Sequence, residues 1–377
     1  MDLLSSSHIR CAGNSIGGIV VTTSSNRTTI RKWLQQWPKV ELHRHLEGSV
    51  RFETAWELAQ ENPELAGWSP EQLRRAIEFD GERNFAHFLS KFETLRKLYT
   101  RPEHIQRVAA EAIEDAARDN IRYMELRFSP DHFATTSGLD RDQIADWILD
   151  SANESARLHG ITVRFLLTIG RGYAPEITTR ILAIALRTRE KGVVGVDLAG
   201  DEIRFPAEPF APLFTRAYDE GLGITIHAGE AGPASSVAQA VIALHAHRIG
   251  HGIRSIENPD VVALLKQREV ALEVCPTSNI QTGVVNSFAT HPLPALLEAG
   301  LAVVICSDDP NISRITLTDE YTTALVDMGV APETLAQCVM NGIEHAFLSP
   351  AEKKPLREQL AAELGHVLLN SPLSRPE

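Results

Sequence analysis

The stretch PKVELHRHLEGS, residues 38–49, combines a short apolar strand with two closely spaced histidines. Val40 and Leu42 alternate with polar residues, as they would in a β-strand. Because alternate side chains of a strand share a face, His43 and His45 point in the same direction. Two imidazoles on one rigid backbone supply half of a metal site, and a surface pair of histidines is the alternative. The choice between them depends on whether later strands end in matching residues.

Seven further short, β-branched runs follow this strand, and longer amphipathic stretches separate them. Strands that alternate with helices predict a parallel sheet, and eight such units predict a closed (β/α)8 TIM barrel. An open, doubly wound sheet is the alternative, but no Gly-x-Gly-x-x-Gly turn follows the first strand. The predicted strands are Val40–His45, Tyr123–Phe128, Val163–Ile169, Val193–Leu198, Ile224–His227, Arg248–Gly250, Ala271–Val274 and Ala302–Ser307.

Two segments do not fit the simple alternation of strands and helices. Residues 51–98, between the first two strands, are too many for one crossover, so we expect extra helices over the barrel mouth. Residues 1–37 are rich in Ser and Thr and nearly free of acidic residues. We expect a disordered N-terminal extension there, or a start codon placed too far upstream, rather than a signal peptide. A single domain then spans residues 38–370.

The composition excludes several classes of partner. The chain has 377 residues and a net charge of −12 without a basic run, which argues against binding to nucleic acid. No apolar stretch approaches the ~20 residues that span a bilayer. The four cysteines, Cys11, Cys275, Cys306 and Cys338, show no paired spacing. We therefore expect buried thiols at Cys275 and Cys306, a cytoplasmic location and no membrane partner.

Residues with metal-binding chemistry stand at the ends of four predicted strands. In a (β/α)8 barrel these ends form one mouth, where active sites lie. A solvated or packed histidine is the simpler interpretation of each one alone, but their shared position argues against it for the set. Three neutral imidazoles and one carboxylate suit a single zinc ion with room for water, and other divalent ions accept the same donors. The predicted ligands are His43, His45, His227 and Asp308.

Three more residues near these strand ends have acid–base chemistry. Glu230 lies in a glycine-containing turn and is a candidate general acid, or a carboxylate stabilised at the N-terminus of the next helix. His251 lies between two glycines, which let a ligand approach closely, and a packing histidine is the alternative. Asp309 is expected to hold the substrate or a water, unless it only shapes a turn before Pro310.

Two other metal chemistries do not fit the sequence. Barrel hydrolases with two metals usually bridge them through a modified lysine on the fourth strand, and residues 193–200 contain no lysine. The cytidine-deaminase type of zinc site needs a Pro-Cys-x-x-Cys segment, which is also absent. One metal ion is therefore favoured.

With these residues assembled, the chain resembles the adenosine deaminase family, and its bacterial members in particular. The resemblance runs from about residue 38 to residue 360. It depends on the motifs ELHRHLEGS (41–49), YMELRFSP (123–130), VGVDLAGDE (194–202), HAGE (227–230), RIGHGI (248–253), CPTSNIQTG (275–283) and SDDP (307–310).

The resemblance implies a role for each candidate residue in the deamination of a purine nucleoside. The four ligands named above would hold zinc, and Glu230 would protonate N1 of the purine, which makes C6 electrophilic. His251 would orient or deprotonate the water that attacks C6. Asp309 would hydrogen-bond the base edge and the attacking oxygen, and the backbone N–H of Gly200 would contact N3. No protein partner is implied.

One position departs from the pattern of the family. The resemblance assigns His45 and Glu47 to substrate binding, but adenosine deaminases commonly carry aspartate at position 47, where it meets the ribose 5′-hydroxyl. Glutamate occurs there in branches that act on adenine or on other adenosine derivatives, including aminofutalosine. We expect adenosine and 2′-deoxyadenosine as substrates, with those compounds as alternatives. A catalytically silent purine-binding protein is a further alternative.

Overall fold

A computed structural model describes residues 24–374, and an eight-stranded parallel sheet lies at its centre. The strands follow one another around the sheet in chain order, each hydrogen-bonded to the next. The eight predicted strands are confirmed, and their ends agree with the prediction within two residues. The strands are β1 Lys39–His45, β2 Ile121–Phe128, β3 Thr162–Gly170, β4 Val193–Ala199, β5 Gly223–Ala228, β6 Arg248–His251, β7 Ala271–Val274 and β8 Val303–Ile305.

Backbone hydrogen bonds between β1 and the residues after β8 close the sheet into a barrel. The N–H of His45 donates to the carbonyl of Asp308 at 2.9 Å, and the N–H of Asp308 donates to the carbonyl of His43 at 2.8 Å. The fold is therefore the predicted TIM barrel. Its closure also places three of the predicted metal ligands next to one another.

Helices surround this barrel, and the described residues contain seventeen α-helices. Nine of them begin with proline, which suits the first helical position because its missing N–H would have no partner there. The helices are α1 Ser24–Gln35, α2 Phe52–Glu61, α3 Pro70–Ile77, α4 Phe85–Leu95, α5 Pro102–Arg118, α6 Pro130–Ser137, α7 Arg141–His159, α8 Pro175–Arg187, α9 Ala211–Asp219, α10 Ala234–Ala243, α11 Pro259–Gln267, α12 Pro276–Gln281, α13 Leu293–Glu298, α14 Pro310–Ser313, α15 Leu317–Val326, α16 Pro332–Glu344 and α17 Pro350–Leu369.

The long segment between β1 and β2 forms the extra helices α2, α3 and α4 before the crossover helix α5. One face of α4 lies over the C-terminal ends of the strands and lines the cavity there. The prediction of additional helices at the barrel mouth is therefore confirmed.

The N-terminal prediction is wrong for residues 24–37. Ser24–Gln35 form a helix, and Ile30, Trp33 and Leu34 are buried on one side of it. The indole N–H of Trp33 donates to the carbonyl of Val367 at 2.9 Å, which ties α1 to α17. The apolar spacing of these residues outweighs the Ser- and Thr-rich composition on which the prediction depended. The predicted disorder of residues 1–23 lies outside the described residues.

Two smaller predictions can also be compared with the described part of the chain. Cys275 and Cys306 are free, buried thiols, as expected, and Cys11 lies outside the described residues. Among the helices of residues 24–374, none has the length and apolar character needed to cross a bilayer. The cytoplasmic location stays a prediction.

Replacement of the Trp33 side chain tests whether α1 is part of the folded domain. We expect Trp33→Ala to lower the free energy of unfolding by about 3–5 kcal/mol, because it empties a buried site and removes one hydrogen bond. Urea denaturation followed by circular dichroism measures the change. Leu369→Ala, at a side chain that is 87% exposed, is the control and should change stability by less than ~0.5 kcal/mol. Equal stability of the two variants would contradict the assignment of α1 to the domain.

Candidate metal centre and active site

A cavity of about 280 Å³ opens at the C-terminal ends of the strands. Most of the residues predicted to act on substrate or metal line it. Its walls come from the ends of β1, β2, β3, β4, β5, β6 and β8 and from one face of α4. The predicted residues that line it are His45, Glu47, Gly200, His227, Glu230, His251, Asp308 and Asp309.

The four predicted metal ligands converge at the bottom of this cavity. The Oδ1 atom of Asp308 lies 3.3 Å from Nε2 of His43 and 3.5 Å from Nε2 of His45. The Nε2 atoms of His45 and His227 are 3.2 Å apart. His251 joins the same cluster, with its Nε2 atom 3.8 Å from Oδ2 of Asp308. The structure therefore brings the four predicted ligands together, with His251 beside them, and their role as metal ligands stays a prediction.

Three observations show that this donor set fits a divalent metal ion. Nε2 of His43 is fully buried and has no hydrogen-bond partner among the described residues. Two imidazole nitrogens at 3.2 Å repel each other through their lone pairs unless a proton or a cation lies between them. Imidazole nitrogens with one carboxylate are the ligands that zinc and related ions prefer.

Two buried carboxylates hold the other ring nitrogen of two of these histidines. Nδ1 of His43 lies 2.8 Å from Oε2 of Glu273, and Nδ1 of His227 lies 2.9 Å from Oδ1 of Asp197. In the neutral rings each Nδ1–H then donates to its carboxylate, which leaves the Nε2 lone pair directed at the cluster. Arg127 lies between the two carboxylates, with distances of 2.7 Å to Glu273 and 3.4 Å to Asp197.

Nearby positive groups lower the pKa of two buried carboxylates of the site, Asp197 and Glu273. Burial alone raises the pKa of Asp197 and of Glu273, but His227, His43 and Arg127 beside them lower it below the ordinary range. These two carboxylates are therefore ionised. They balance Arg127 and hold the histidines in the tautomer that ligates metal.

The histidines themselves differ in proton affinity. Burial lowers the pKa of His45, His227 and His251, so these rings are neutral at pH 7. For His43, burial and Arg127 lower the pKa, but the adjacent carboxylates of Asp308 and Glu273 outweigh them and raise it to about 9. A metal ion therefore competes with a proton at His43, and metal affinity should rise with pH.

Glu230 has the environment of a proton donor. Its Oε2 atom lies 3.6 Å from Nε2 of His251, and the hydroxyl of Thr282 donates to its Oε1 atom at 3.3 Å. Burial, and then the charges of Asp308 and Glu202, raise its pKa to about 8. At pH 7 the carboxyl is therefore mostly protonated, which is the form a general acid needs.

A second carboxylate fixes the loop that carries Glu230. Oε2 of Glu202 accepts from the N–H of Gly229 at 3.0 Å. Its Oε1 atom accepts from the N–H of Glu230 at 2.9 Å and from the N–H of Gly232 at 2.6 Å. Three hydrogen bonds to one side chain hold this turn in a single conformation.

Two residues of the site have left-handed backbone conformations. The φ angle is 60° at His251 and 59° at Asp308, a region that costs residues other than glycine about 1 kcal/mol or more. Gly250 precedes His251, and a Cβ atom there would lie 2.9 Å from Cε1 of His43 and 3.3 Å from Cα of His227. The absence of a side chain at Gly250 therefore lets β6 approach two rings of the cluster.

The remaining predicted residues line the same cavity, away from the four-ligand cluster. Oδ1 of Asp309 is buried without a partner among the described residues, and burial and then Asp308 raise its pKa. Any side chain at Gly48 would collide with this atom, because a Cβ atom there would lie 1.9 Å from it. Glu47 accepts the N–H of Ser129 at 2.6 Å through Oε1, and its Oε2 atom is buried without a partner.

Sequence reasoning missed the residues that support the ligands. Asp197, Glu202 and Glu273 occur in quoted or predicted segments, but no role was assigned to them. Glu273 is the single charged residue of the four-residue strand Ala271–Val274, and it is fully buried. A lone charge inside a short apolar strand is a signal that would have marked it, since such a group needs a partner.

The comparisons with known proteins agree with this geometry. A family model described as adenosine deaminase matches residues 38–363. The adenosine deaminase of Shigella flexneri is 38% identical over 328 residues, which cover 86% of this chain and 98% of that protein.

Solved structures of related proteins have the same fold as this chain. A zinc-containing amidohydrolase from Burkholderia ambifaria has a TM-score of 0.85 and 28% identity, and the match covers 94% of this chain and 96% of that one. The adenine deaminase of Arthrobacter aurescens has a TM-score of 0.80 and 29% identity, and its match covers 87% of this chain and 99% of the other. From the family match and the 38% identity, this chain is a hydrolytic deaminase that belongs to the adenosine deaminase family.

Proposed function

We propose that this enzyme hydrolyses adenosine and 2′-deoxyadenosine to inosine and 2′-deoxyinosine, with release of ammonia, in a zinc-dependent reaction of purine salvage. The observation that carries the proposal is the convergence of four histidines with Asp308 and the buried Glu230 at the barrel mouth. The name of the curated relative from Shigella flexneri supports the choice of adenosine.

The metal ligands in this proposal are His43, His45, His227 and Asp308. Support comes from the unpartnered Nε2 of His43 and from the carboxylates that orient two of the rings. Zinc is chosen because the related amidohydrolase from Burkholderia ambifaria contains it. A zinc ion held there would lower the pKa of water toward ~7 and supply a nucleophile at neutral pH.

Glu230 and His251 share the proton transfers of the proposed reaction. Glu230 donates a proton to N1 of the purine, which draws electrons from C6 while the water oxygen attacks it. His251 is neutral and accepts a proton from that water. When the bond between C6 and the amino nitrogen breaks, the nitrogen takes the proton held by His251 and leaves as ammonia. The hydroxyl on C6 gives its remaining proton to Glu230, which restores the acid, and becomes the carbonyl of the product. Water and the nucleoside thus give inosine and ammonia without a redox step.

Four residues hold the substrate in this arrangement. Asp309 is placed to hydrogen-bond the base edge and the attacking oxygen through its unpartnered Oδ1 atom. Gly200 lines the cavity and offers its backbone N–H to N3 of the purine. His45 and the free Oε2 atom of Glu47 border the space for the sugar.

A substrate panel tests the proposed reaction and its alternatives. We expect purified protein with about one zinc ion per chain to convert adenosine and 2′-deoxyadenosine, followed by their ultraviolet absorbance, because the site contains both an acid and a base. Turnover of adenine alone would overturn the choice of nucleoside and move the enzyme to free-base deamination. Bound zinc without turnover of any 6-aminopurine would instead favour a silent purine-binding protein.

Replacement of Glu230 tests its role as the acid. Glu230→Gln keeps the shape of the side chain but removes its proton, so we expect kcat to fall by about 10²- to 10⁴-fold while the zinc content stays near that of the wild type. Turnover assays and metal analysis on the same preparation provide both values. Glu320→Gln, at another buried carboxyl with a pKa near 8 that bonds only to Thr277, should leave both unchanged. Wild-type turnover of Glu230→Gln would remove Glu230 from the mechanism.

Replacement of Asp197 tests the support of the metal ligands. Asp197→Asn removes the ionised acceptor that fixes the tautomer of His227, so we expect zinc affinity to fall by about 10- to 100-fold. Competition with a chromogenic chelator measures this affinity. Asp119→Asn is the matched control, because Asp119 is buried but accepts from Thr318 instead. Equal zinc affinities of the two variants would show that the contact between Asp197 and His227 does not support metal binding.

A further inference from the structure

A second cavity, of about 500 Å³, lies between strand β1 and the helices that surround the barrel. We call it the outer cavity. Its walls come from α1, β1, the start of α2, the end of α5 and the segment from α14 to α15. It shares no lining residue with the cavity at the barrel mouth. A ligand in the outer cavity would therefore occupy a site separate from that of the proposed substrate.

Arg44 is the residue of β1 that lines the outer cavity. It lies between His43 and His45 in the chain, and successive side chains of a strand point to opposite faces. The two histidines point to the cluster of predicted metal ligands, so Arg44 points away from that cluster. Arg44 is nevertheless only 4% exposed, because the surrounding helices cover it.

The guanidinium of Arg44 has more donors than partners. Its Nε–H donates to the hydroxyl oxygen of Ser49 at 3.0 Å. Among residues 24–374, its Nη1 and Nη2 atoms make no hydrogen bond, and no carboxylate oxygen lies within 4 Å of its charged nitrogens. Burial lowers the pKa of Arg44, and Glu41 and Asp115 offset this only in part, but an arginine stays protonated at pH 7. Four N–H groups of an enclosed cation are thus available on the cavity wall.

The other arginines of the outer cavity differ from Arg44 because each has a carboxylate partner. Arg31 lies 2.6 Å from Asp319, and Arg51 lies 2.6 Å from Asp115. The remaining pairs are Arg118 with Glu114 and Arg314 with Glu78. The positive charge that is left for a ligand is therefore that of Arg44.

The buried carboxylates of the outer cavity already have donors close to them. Glu78 lies 2.6 Å from Arg74, and Asp119 accepts the N–H of Thr318 at 3.0 Å. Glu53 has no partner among the described residues, but it is exposed and lies in the first turn of α2, where the helix N-terminus stabilises a negative charge. These carboxylates do not need Arg44 as a donor, whereas Arg44 lacks an acceptor.

The chemistry of a guanidinium decides what kind of ligand fits here. Its two terminal nitrogens form a planar fork that matches two oxygens of a carboxylate or a phosphate. We propose that the outer cavity binds such an oxyanion and that Arg44 holds it through this fork. The site would be independent of the proposed deamination, because neither the metal cluster nor the cavity at the barrel mouth contributes to it.

A crystal soak of the zinc-containing wild type tests the site directly. Crystals are grown without sulfate or phosphate and soaked in selenate, a tetrahedral oxyanion whose selenium scatters anomalously. We expect an anomalous peak beside Nη1 and Nη2 of Arg44. Its position separates the outer cavity from any selenate bound at the barrel mouth. A map without a peak in the outer cavity would overturn the inference.

Titrations in solution test the role of Arg44. Phosphate and succinate are titrated into the zinc-containing protein and followed by ligand-observed NMR, and the tighter of the two identifies the class of oxyanion. We expect a dissociation constant on the order of 1 mM, because the nearby carboxylates oppose a further anion. Arg44→Gln should weaken binding by about 10-fold or more. Arg44→Lys should weaken it less, because lysine keeps the charge but loses the fork.

Arg118→Gln is the matched control. It removes the same charge from the same cavity, but at a side chain that is 65% exposed and paired with Glu114. We expect it to change the affinity by less than about 2-fold, since exposed ion pairs contribute little. Zinc content is measured on every variant, so that damage to the metal cluster is not mistaken for loss of the outer site.

Two results in solution would overturn the anion site. One is equal affinity of the wild type and Arg44→Gln, and the other is an equal loss in Arg44→Gln and Arg118→Gln, which would indicate a general electrostatic effect. If Arg44→Gln does not fold, the selenate map of the wild type decides alone.

Discussion

The buried ion pairs of Arg127 are the interaction on which the site depends. Its guanidinium lies between Glu273 and Asp197, and all three side chains are fully shielded from solvent. Loss of this cation would leave Asp197 without its arginine partner in the barrel interior, and Glu273 would keep only Arg248, at 2.6 Å. An uncompensated buried carboxylate typically costs several kcal/mol. Those carboxylates orient the rings of His43 and His227. The direction of the two Nε2 atoms therefore depends indirectly on the charge of Arg127.

The same interior gives different protonation states to carboxyl groups that lie close together. Cations and histidines beside Asp197, Glu273 and Asp308 keep them ionised, whereas for Glu230 and Asp309 burial and the charge of Asp308 outweigh the nearby positive groups and raise the pKa. Because the pKa values of these carboxyl groups differ, one site can contain a protonated acid and several ionised carboxylates at the same pH. The local environment, and not the residue type, decides which carboxyl gives up its proton.

The sequence predicted the barrel, and it predicted which histidines and aspartate meet at its mouth, because both depend on local patterns. The sequence pattern shows where each strand lies and which residues follow it. Because the strands of the barrel are parallel, their C-terminal ends meet at one mouth. The supporting contacts could not be read, since Glu273 of β7 reaches His43 of β1 across the barrel interior. Composition predicted disorder at α1, where Trp33 makes a tertiary contact with α17.

The segment that follows β4 connects the residue proposed to contact the base with the residue that positions the proposed acid. Gly200, which lines the cavity, and Glu202, which anchors the loop of Glu230, are two residues apart. A shift of this short segment would therefore displace the edge that receives the base and the turn that delivers the proton by the same amount. Among related sequences, the length of this segment should therefore be preserved more strictly than the identity of its residues. One inserted residue would displace both the cavity edge at Gly200 and the loop of Glu230.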